Sequence, residues 1–237
     1  MFFLLSGEGS TDIGVGLTAA EVCEGDNFVA GPMALIVDMI VRAESQLSVL
    51  NGGCGFVSEY CLSRRTDELK AVKKKLRLPG KKRAKETHYF FNNARALSRI
   101  AEEKAAELND DVVAVLFRDA DGTASAGRGH WETKRKSMLD GFAEESFHKG
   151  VPMIPKPKSE AWLICALRQN PYQGCCALES RSGNDCSPNS LKAELDGILG
   201  ERVTSRLLCE KVRNAVDFAR IDMPSFRGFR ERLEEVL

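Results

Sequence analysis

Histidine is scarce in this chain: His88, His130 and His148 are the only three in 237 residues. None stands at zinc-ligand spacing from a cysteine, and the eight cysteines include no Cys-x-x-Cys pair, so the common structural zinc sites are excluded. Net charge is missing too, because 34 basic and 34 acidic residues cancel. An argument for a polyanionic partner must therefore rest on local patches. There is no Gly-x-x-x-x-Gly-Lys-Ser/Thr loop, which excludes a P-loop nucleotide site. Long apolar runs are absent as well. Residues 1–5 are too few for a signal-peptide core or a membrane span and read as a strand, so no membrane association is expected. Without a secretory signal, free thiols and a cytoplasmic location are the expectation, and the adjacent pair Cys175-Cys176 would be strained as a disulfide. No internal repeat or low-complexity segment is present.

What the chain does have is acid at the ends of apolar runs. Residues 112–117, Val-Val-Ala-Val-Leu-Phe, are flanked by Asn109-Asp110-Asp111 and Gly122. Such a run predicts a strand buried on both faces, as in a parallel sheet. Arg118, Asp119, Ala120 and Asp121 follow it, and in open α/β sheets ligands bind at the carboxyl ends of strands. Alternation sends Asp119 and Asp121 to the same side. Two carboxylates there repel unless a cation or a proton lies between them, and a hard ion such as Mg²⁺ suits oxygen donors. Residues 2–5 predict a second strand, opening into Ser6-Gly7-Glu8-Gly9-Ser10-Thr11-Asp12. Glu8 falls between glycines that permit close approach. Ser10 or Thr11 is placed to cap a following helix, with Asp12 on its first turn. A third acid, Glu160, follows a short strand at 151–155, where prolines 152, 155 and 157 predict either a sheet edge or an abrupt end to the strand. Ser159 is the expected cap of the helix that Glu160 opens, and Lys156 and Lys158 are placed to stabilise phosphoryl charge. Each acid alone has an ordinary explanation as a turn residue or a first-turn charge. Three acidic strand ends together are a stronger signal.

Between these stations, residues 32–47 and 88–107 carry apolar positions at helical spacing, the latter as a crossover joining parallel strands. Residues 14–31 are glycine-rich and read as a loop with a short helix, and 55–62 as a short strand. Residues 64–85 concentrate basic charge against only Asp67 and Glu68. A short helix ending at Pro79-Gly80 is expected there, with Arg64, Arg65, Lys73, Lys74, Lys75, Lys81, Lys82 and Arg83 as candidate phosphate contacts. No aromatic interrupts the run, so single-strand stacking is not indicated. Residues 123–129 are small and glycine-rich, so a mobile loop beside the site is expected, and 131–147 read as a helix. After a polar connection at 171–188, residues 189–199, 201–219 and 224–237 each read as helical, a bundle closing on the sheet without a catalytic constellation.

Leu-Leu-Ser-Gly-Glu-Gly-Ser-Thr-Asp, then Leu-Phe-Arg-Asp-Ala-Asp-Gly, then Pro-Lys-Ser-Glu-Ala-Trp-Leu-Ile resembles the TOPRIM pattern. That domain is shared by topoisomerases, primases and OLD-type (overcoming-lysogenization-defect) nucleases. The wording is most similar to small stand-alone TOPRIM-like proteins of bacterial defence and mobile-element neighbourhoods. The resemblance implies an α/β fold, a mostly parallel central sheet flanked by helices, over residues 1–168, with a basic insertion at about 48–87. Residues 169–237 form a helical C-terminal extension. It implies a nuclease dependent on Mg²⁺ or Mn²⁺, one or two ions, with antiviral defence as its setting. Glu8, Asp119 and Asp121 would be metal ligands, Asp12 and Glu160 would complete a second position, and Lys156 or Lys158 would match the lysine of OLD-type enzymes. DNA is the expected substrate before RNA, and any ATP dependence would come from a separate ATPase partner. No tyrosine among Tyr60, Tyr89 and Tyr172 is placed as a topoisomerase nucleophile. Asp119-Ala120-Asp121-Gly122-Thr123 also matches the haloacid-dehalogenase nucleophile motif, with Asp119 attacking phosphate and Asp121 as acid/base. That motif usually opens a chain, and it leaves Glu8 and Asp12 unexplained. A non-catalytic subunit binding metal and nucleic acid is the remaining alternative.

Overall fold

In the computed structural model the described residues are 1–73, 85–120 and 131–237. Their strands are β1 (Phe2–Gly7), β2 (Gly14–Gly16), β3 (Cys23–Glu24), β4 (Phe28–Ala30), β5 (Cys54–Val57), β6 (Val112–Phe117) and β7 (Gly150–Met153). Their helices are α1 (Pro32–Ser45), α2 (Glu59–Lys73), α3 (Lys85–Leu108), α4 (Trp131–Glu144), α5 (Ser159–Leu167), α6 (Leu191–Leu199), α7 (Ser205–Ala215) and α8 (Pro224–Val236). Five strands form the central sheet in the order β3-β5-β1-β6-β7. β1 is parallel to β5 and to β6, β6 is parallel to β7, and only β3 runs antiparallel. The carboxyl ends of the four parallel strands therefore share one margin. The fold is α/β with a mostly parallel sheet flanked by helices, as the continuous apolar runs require.

Alternation divides the side chains of each strand between two cores. Phe3, Leu5, Val113, Val115 and Phe117 face α1, α5 and the C-terminal helices α6–α8. Phe2, Leu4, Val112, Ala114 and Leu116 face α2, α3 and α4. On the first face Trp162 is fully buried, edge-on to Phe226 at 4.9 Å and stacked near Phe229 at 5.9 Å, which locks α5 to α8. Ser190 and Thr204 cap α6 and α7, accepting the Ala193 and Leu207 amides.

Several local expectations are corrected. Residues 14–31 hold the expected short helix as a 3-10 helix at Gly25–Asn27, but the rest is not a plain loop: β2 and β4 pair antiparallel, Val15 opposite Val29, with β3 between them. Three-residue strands are too short to give a period. The strand expected over 55–62 ends at Val57, because the Ser58 hydroxyl accepts the Cys61 amide and starts α2. Cys165 and Cys175 form a disulfide, Cα atoms 5.3 Å apart, where free thiols were expected. The chain after α5 folds back on the helix and brings the two together, a return that residue spacing does not reveal. β7 does lie at the sheet edge, where Pro152 costs no ladder bond on its open side. The expected turn at Pro79-Gly80 and the glycine-rich segment 123–129 lie outside the described residues.

Candidate functional site

β1 and β6 run in register, Gly7 opposite Phe117, so Glu8 and Arg118 leave the sheet level with one another. Gly7 is required there: a Cβ would stand 2.8 Å from the Phe117 ring. Gly9 follows in the left-handed region at φ 78°, where a Cβ would meet the Asp12 carboxylate at 2.8 Å. The expected capped helix is a single π-helical turn, Gly9–Ile13, with no side-chain cap, and it carries Asp12 back toward the strand ends. Thr11 spends its hydroxyl on Asp12 Oδ2 at 3.1 Å.

The end of β6 extends along β7: Arg118 N–H donates to the Met153 carbonyl at 3.0 Å and Ala120 N–H to the Pro155 carbonyl at 2.9 Å. The same alternation that splits the core then splits the site. Asp119 goes to the α5 side, where its Oδ1 accepts the Ser159 amide at 3.0 Å. Ser159 is the first residue of α5, not its cap, and its hydroxyl donates to Asp12 Oδ1 at 2.5 Å. One serine thus ties Asp12 and Asp119 together, with Glu160 next in the chain. Arg118 goes to the opposite side, toward α2 and α3, and Glu8 goes with it. Glu8 Oε2 accepts from Arg118 Nη1 at 3.4 Å while its Oε1 accepts the Asp119 amide at 2.9 Å. Glu8 is 40 % exposed and bridges the two sides.

The electrostatics follow from this crowding. Burial, then the charges of Asp12, Glu160 and Glu8, push Asp119 well above the usual carboxylate range, against the Ser159 amide. Burial raises Asp12 as well, opposed by the Ser159 and Thr11 hydroxyls and by the charges of Lys158 and Lys192. Glu160 is raised by burial and then by Asp12, against its own backbone amide and Lys158; Asp185 adds to the rise. Its Oε2 is buried without a hydrogen-bond partner. Lys158 pairs with Asp185 at 2.8 Å, and although burial opposes its charge, Asp185, Glu160 and Asp119 hold it protonated above its usual range. Lys156, half-buried before a cis peptide to Pro157, enters none of these contacts.

No protein family, curated protein or solved structure matches this chain.

The structure thus brings together Asp12, Asp119, Glu160 and Lys158, with Glu8 linked to them through the Asp119 amide. Asp121 lies outside the described residues. Among the described residues no group of three or more Asp, Glu, His or Cys side chains is gathered closely enough to hold a metal ion. The donor set nonetheless has the chemistry of a hard-cation site: all oxygen, mutually repelling, with one buried carboxylate oxygen unpaired. Side-chain rotation would be needed to close it.

Of the candidate phosphate contacts, Arg64 and Arg65 are ion-paired instead. Both reach Glu21, at 2.8 and 2.7 Å, and Arg65 also pairs with Glu103. The side chain of Lys73 is not described, and Lys74, Lys75, Lys81, Lys82 and Arg83 lie outside the described residues.

Sequence reasoning missed five contributors. Arg118 is 1 % exposed and stacks over the Tyr89 ring at 4.9 Å; its Nη1 also reaches Glu59 at 3.2 Å. The Tyr89 hydroxyl donates to Glu59. Burial drives Tyr89 up to about 12; the Arg118 charge opposes this, and the Glu59 bond adds to it. Lys134, equally buried, donates to the Ala120 carbonyl and so holds the segment between the two aspartates. Arg118 had a signal: alternation from Phe117 already sends it opposite to Asp119. Lys192, at the start of α6, acts on Asp12 from a region that carried no motif.

Proposed function

We propose that this protein is a divalent-metal-dependent nuclease of TOPRIM type, with Asp12, Asp119, Glu160 and Glu8, together with Asp121, as its metal-holding carboxylates. One observation carries the reading: four acids, drawn from three separate segments, converge where parallel strands end, and burial raises three of them, Asp12, Asp119 and Glu160, above the usual carboxylate range. A fold does not maintain such repulsion for stability alone. Mg²⁺ or Mn²⁺, when bound, supplies charge neutralisation and an acidified water for phosphodiester hydrolysis.

The chain's own residues have the remaining work. Ser159 fixes the spacing of Asp12 and Asp119. Glu8, 40 % exposed, is the one placed to accept a proton from an attacking water. Lys158, held protonated beside Asp119 and Glu160, would meet phosphoryl charge as it develops. Strand holding falls to the basic run beyond Arg65, since Arg64 and Arg65 already serve Glu21. A preference for DNA, a separate ATPase partner and a defence setting rest on the sequence resemblance; among the described residues no helix is long and apolar enough to cross a membrane. The phosphatase alternative leaves unexplained why Glu8 and Asp12 are tied to Asp119, Glu8 through the Asp119 amide and Asp12 through Ser159.

The test is cleavage of supercoiled plasmid, linear DNA and RNA with Mg²⁺ or Mn²⁺, with p-nitrophenyl phosphate as control. Nicking by the wild type that Asp119→Ala abolishes supports the proposal. Undiminished nicking by Asp119→Ala refutes the site, and phosphatase turnover without nicking refutes the reaction.

A further inference from the structure

The structure assigns to Arg118 a positioning role: it orients Glu8 for cation binding, an inference that rests on the metal reading above. Its guanidinium is 1 % exposed and lies at the junction of three groups. Nη1 reaches Glu8 Oε2 at 3.4 Å and Glu59 Oε1 at 3.2 Å, and the plane rests 4.9 Å from the centre of the Tyr89 ring. Nε and Nη2 are buried without hydrogen-bond partners.

A role confined to stability does not account for this arrangement. A buried cation with unmet donors is costly, and an apolar residue continuing the Val112, Ala114, Leu116 face would pack there at no such cost. What Arg118 provides is a fixed second contact for Glu8. The Asp119 amide holds one carboxylate oxygen and Arg118 the other, so both the position and the plane of the carboxylate are defined. Glu59, at the start of α2, and Tyr89, on α3, keep the guanidinium from swinging away. Partners behind a metal ligand of this kind typically contribute 10- to 100-fold to affinity.

The experiment is Mn²⁺ binding to the full chain without nucleic acid, read by the electron paramagnetic resonance of unbound Mn²⁺, at a temperature well below the melting point of every variant. Arg118→Gln is expected to weaken binding 10- to 100-fold. Arg118→Lys, which keeps the charge but cannot span Glu8 and Glu59 with a planar fork, is expected to fall between Gln and wild type, and it serves if the Gln variant does not fold. Leu97→Ala, a core truncation on the same face, controls for destabilisation and is expected to bind as the wild type does. Unchanged or tightened binding in both Arg118 variants, or an equal loss in Leu97→Ala, overturns the positioning role and leaves the metal site standing. A wild type that binds no Mn²⁺ overturns the metal reading and this inference with it.

Discussion

Asp119→Asn should make the metal-free protein more stable at neutral pH, an unusual outcome for a buried substitution. Asparagine has nearly the volume of aspartate, and its Oδ1 can still accept the Ser159 amide that Asp119 accepts at 3.0 Å. What disappears is one charge in a buried cluster with Asp12, Glu160 and Glu8. Because folding raises the Asp119 pKa above its usual 3.8, the folded state prefers the protonated acid. The stability that preference contributes is complete below about pH 4 and is lost as pH rises through the folded-state value. Each tenfold gain in proton affinity on folding corresponds to about 1.4 kcal/mol lost once the pH exceeds both values. Removing the charge also relieves Asp12 and Glu160. Gains from such substitutions run to roughly 1–2 kcal/mol, which for a chain of this size is a rise in Tm of about 3–6 °C. The assay is thermal unfolding in chelator from pH 4 to pH 8. The advantage of Asp119→Asn should be absent at pH 4, grow with pH and then level off. Saturating Mn²⁺ should reverse the order, because a cation at 100 times its Kd adds about 2.7 kcal/mol to the wild type. An Asn variant that melts below the wild type in chelator at pH 7.5, or whose advantage shrinks as pH rises, would refute the reasoning.

Three further outcomes follow from other contacts. Ser159→Ala removes the hydroxyl shared with Asp12 and should cost about 1.5–3 kcal/mol, together with weaker Mn²⁺ binding; unfolding and metal titration check both, and a neutral effect would dissociate Ser159 from the site. Reduction of Cys165–Cys175, or Cys165→Ser, opens a short loop and should lower stability by about 3 kcal/mol, seen as a lower Tm in dithiothreitol; an unchanged Tm would place both cysteines in the thiol form. Arg65→Ala breaks the pairs to Glu21 and Glu103 and should cost about 1 kcal/mol while leaving the salt dependence of nucleic-acid binding unaltered. A shallower salt slope would return Arg65 to the phosphate contacts.

Much of this was legible before any coordinates. Apolar runs at 2–5 and 112–117 determined parallel strands buried on both faces, because only such strands can be continuously apolar. Helical periodicity placed α1 and α3, and the prolines around residue 152 left β7 either an edge strand or one that ends abruptly, of which the sheet order shows the edge. Acids after three runs pointed to one margin of the sheet, where Glu8, Asp12, Asp119 and Glu160 do come together. Tertiary structure decided the rest. Where a run's side chains alternate, sequence gives the parity, but only the packing of α2 and α3 on one face and α5 on the other showed that Glu8 leaves with Arg118 while Asp119 leaves with Ser159. Arg64 and Arg65 looked free in a basic run until Glu21, more than forty residues earlier, was found beside them. Cys165 met Cys175, and Lys192 came within reach of Asp12, only because the chain after α5 turns back on the sheet. Pairings of this kind depend on which surfaces share a core, and no local spacing in the chain encodes them.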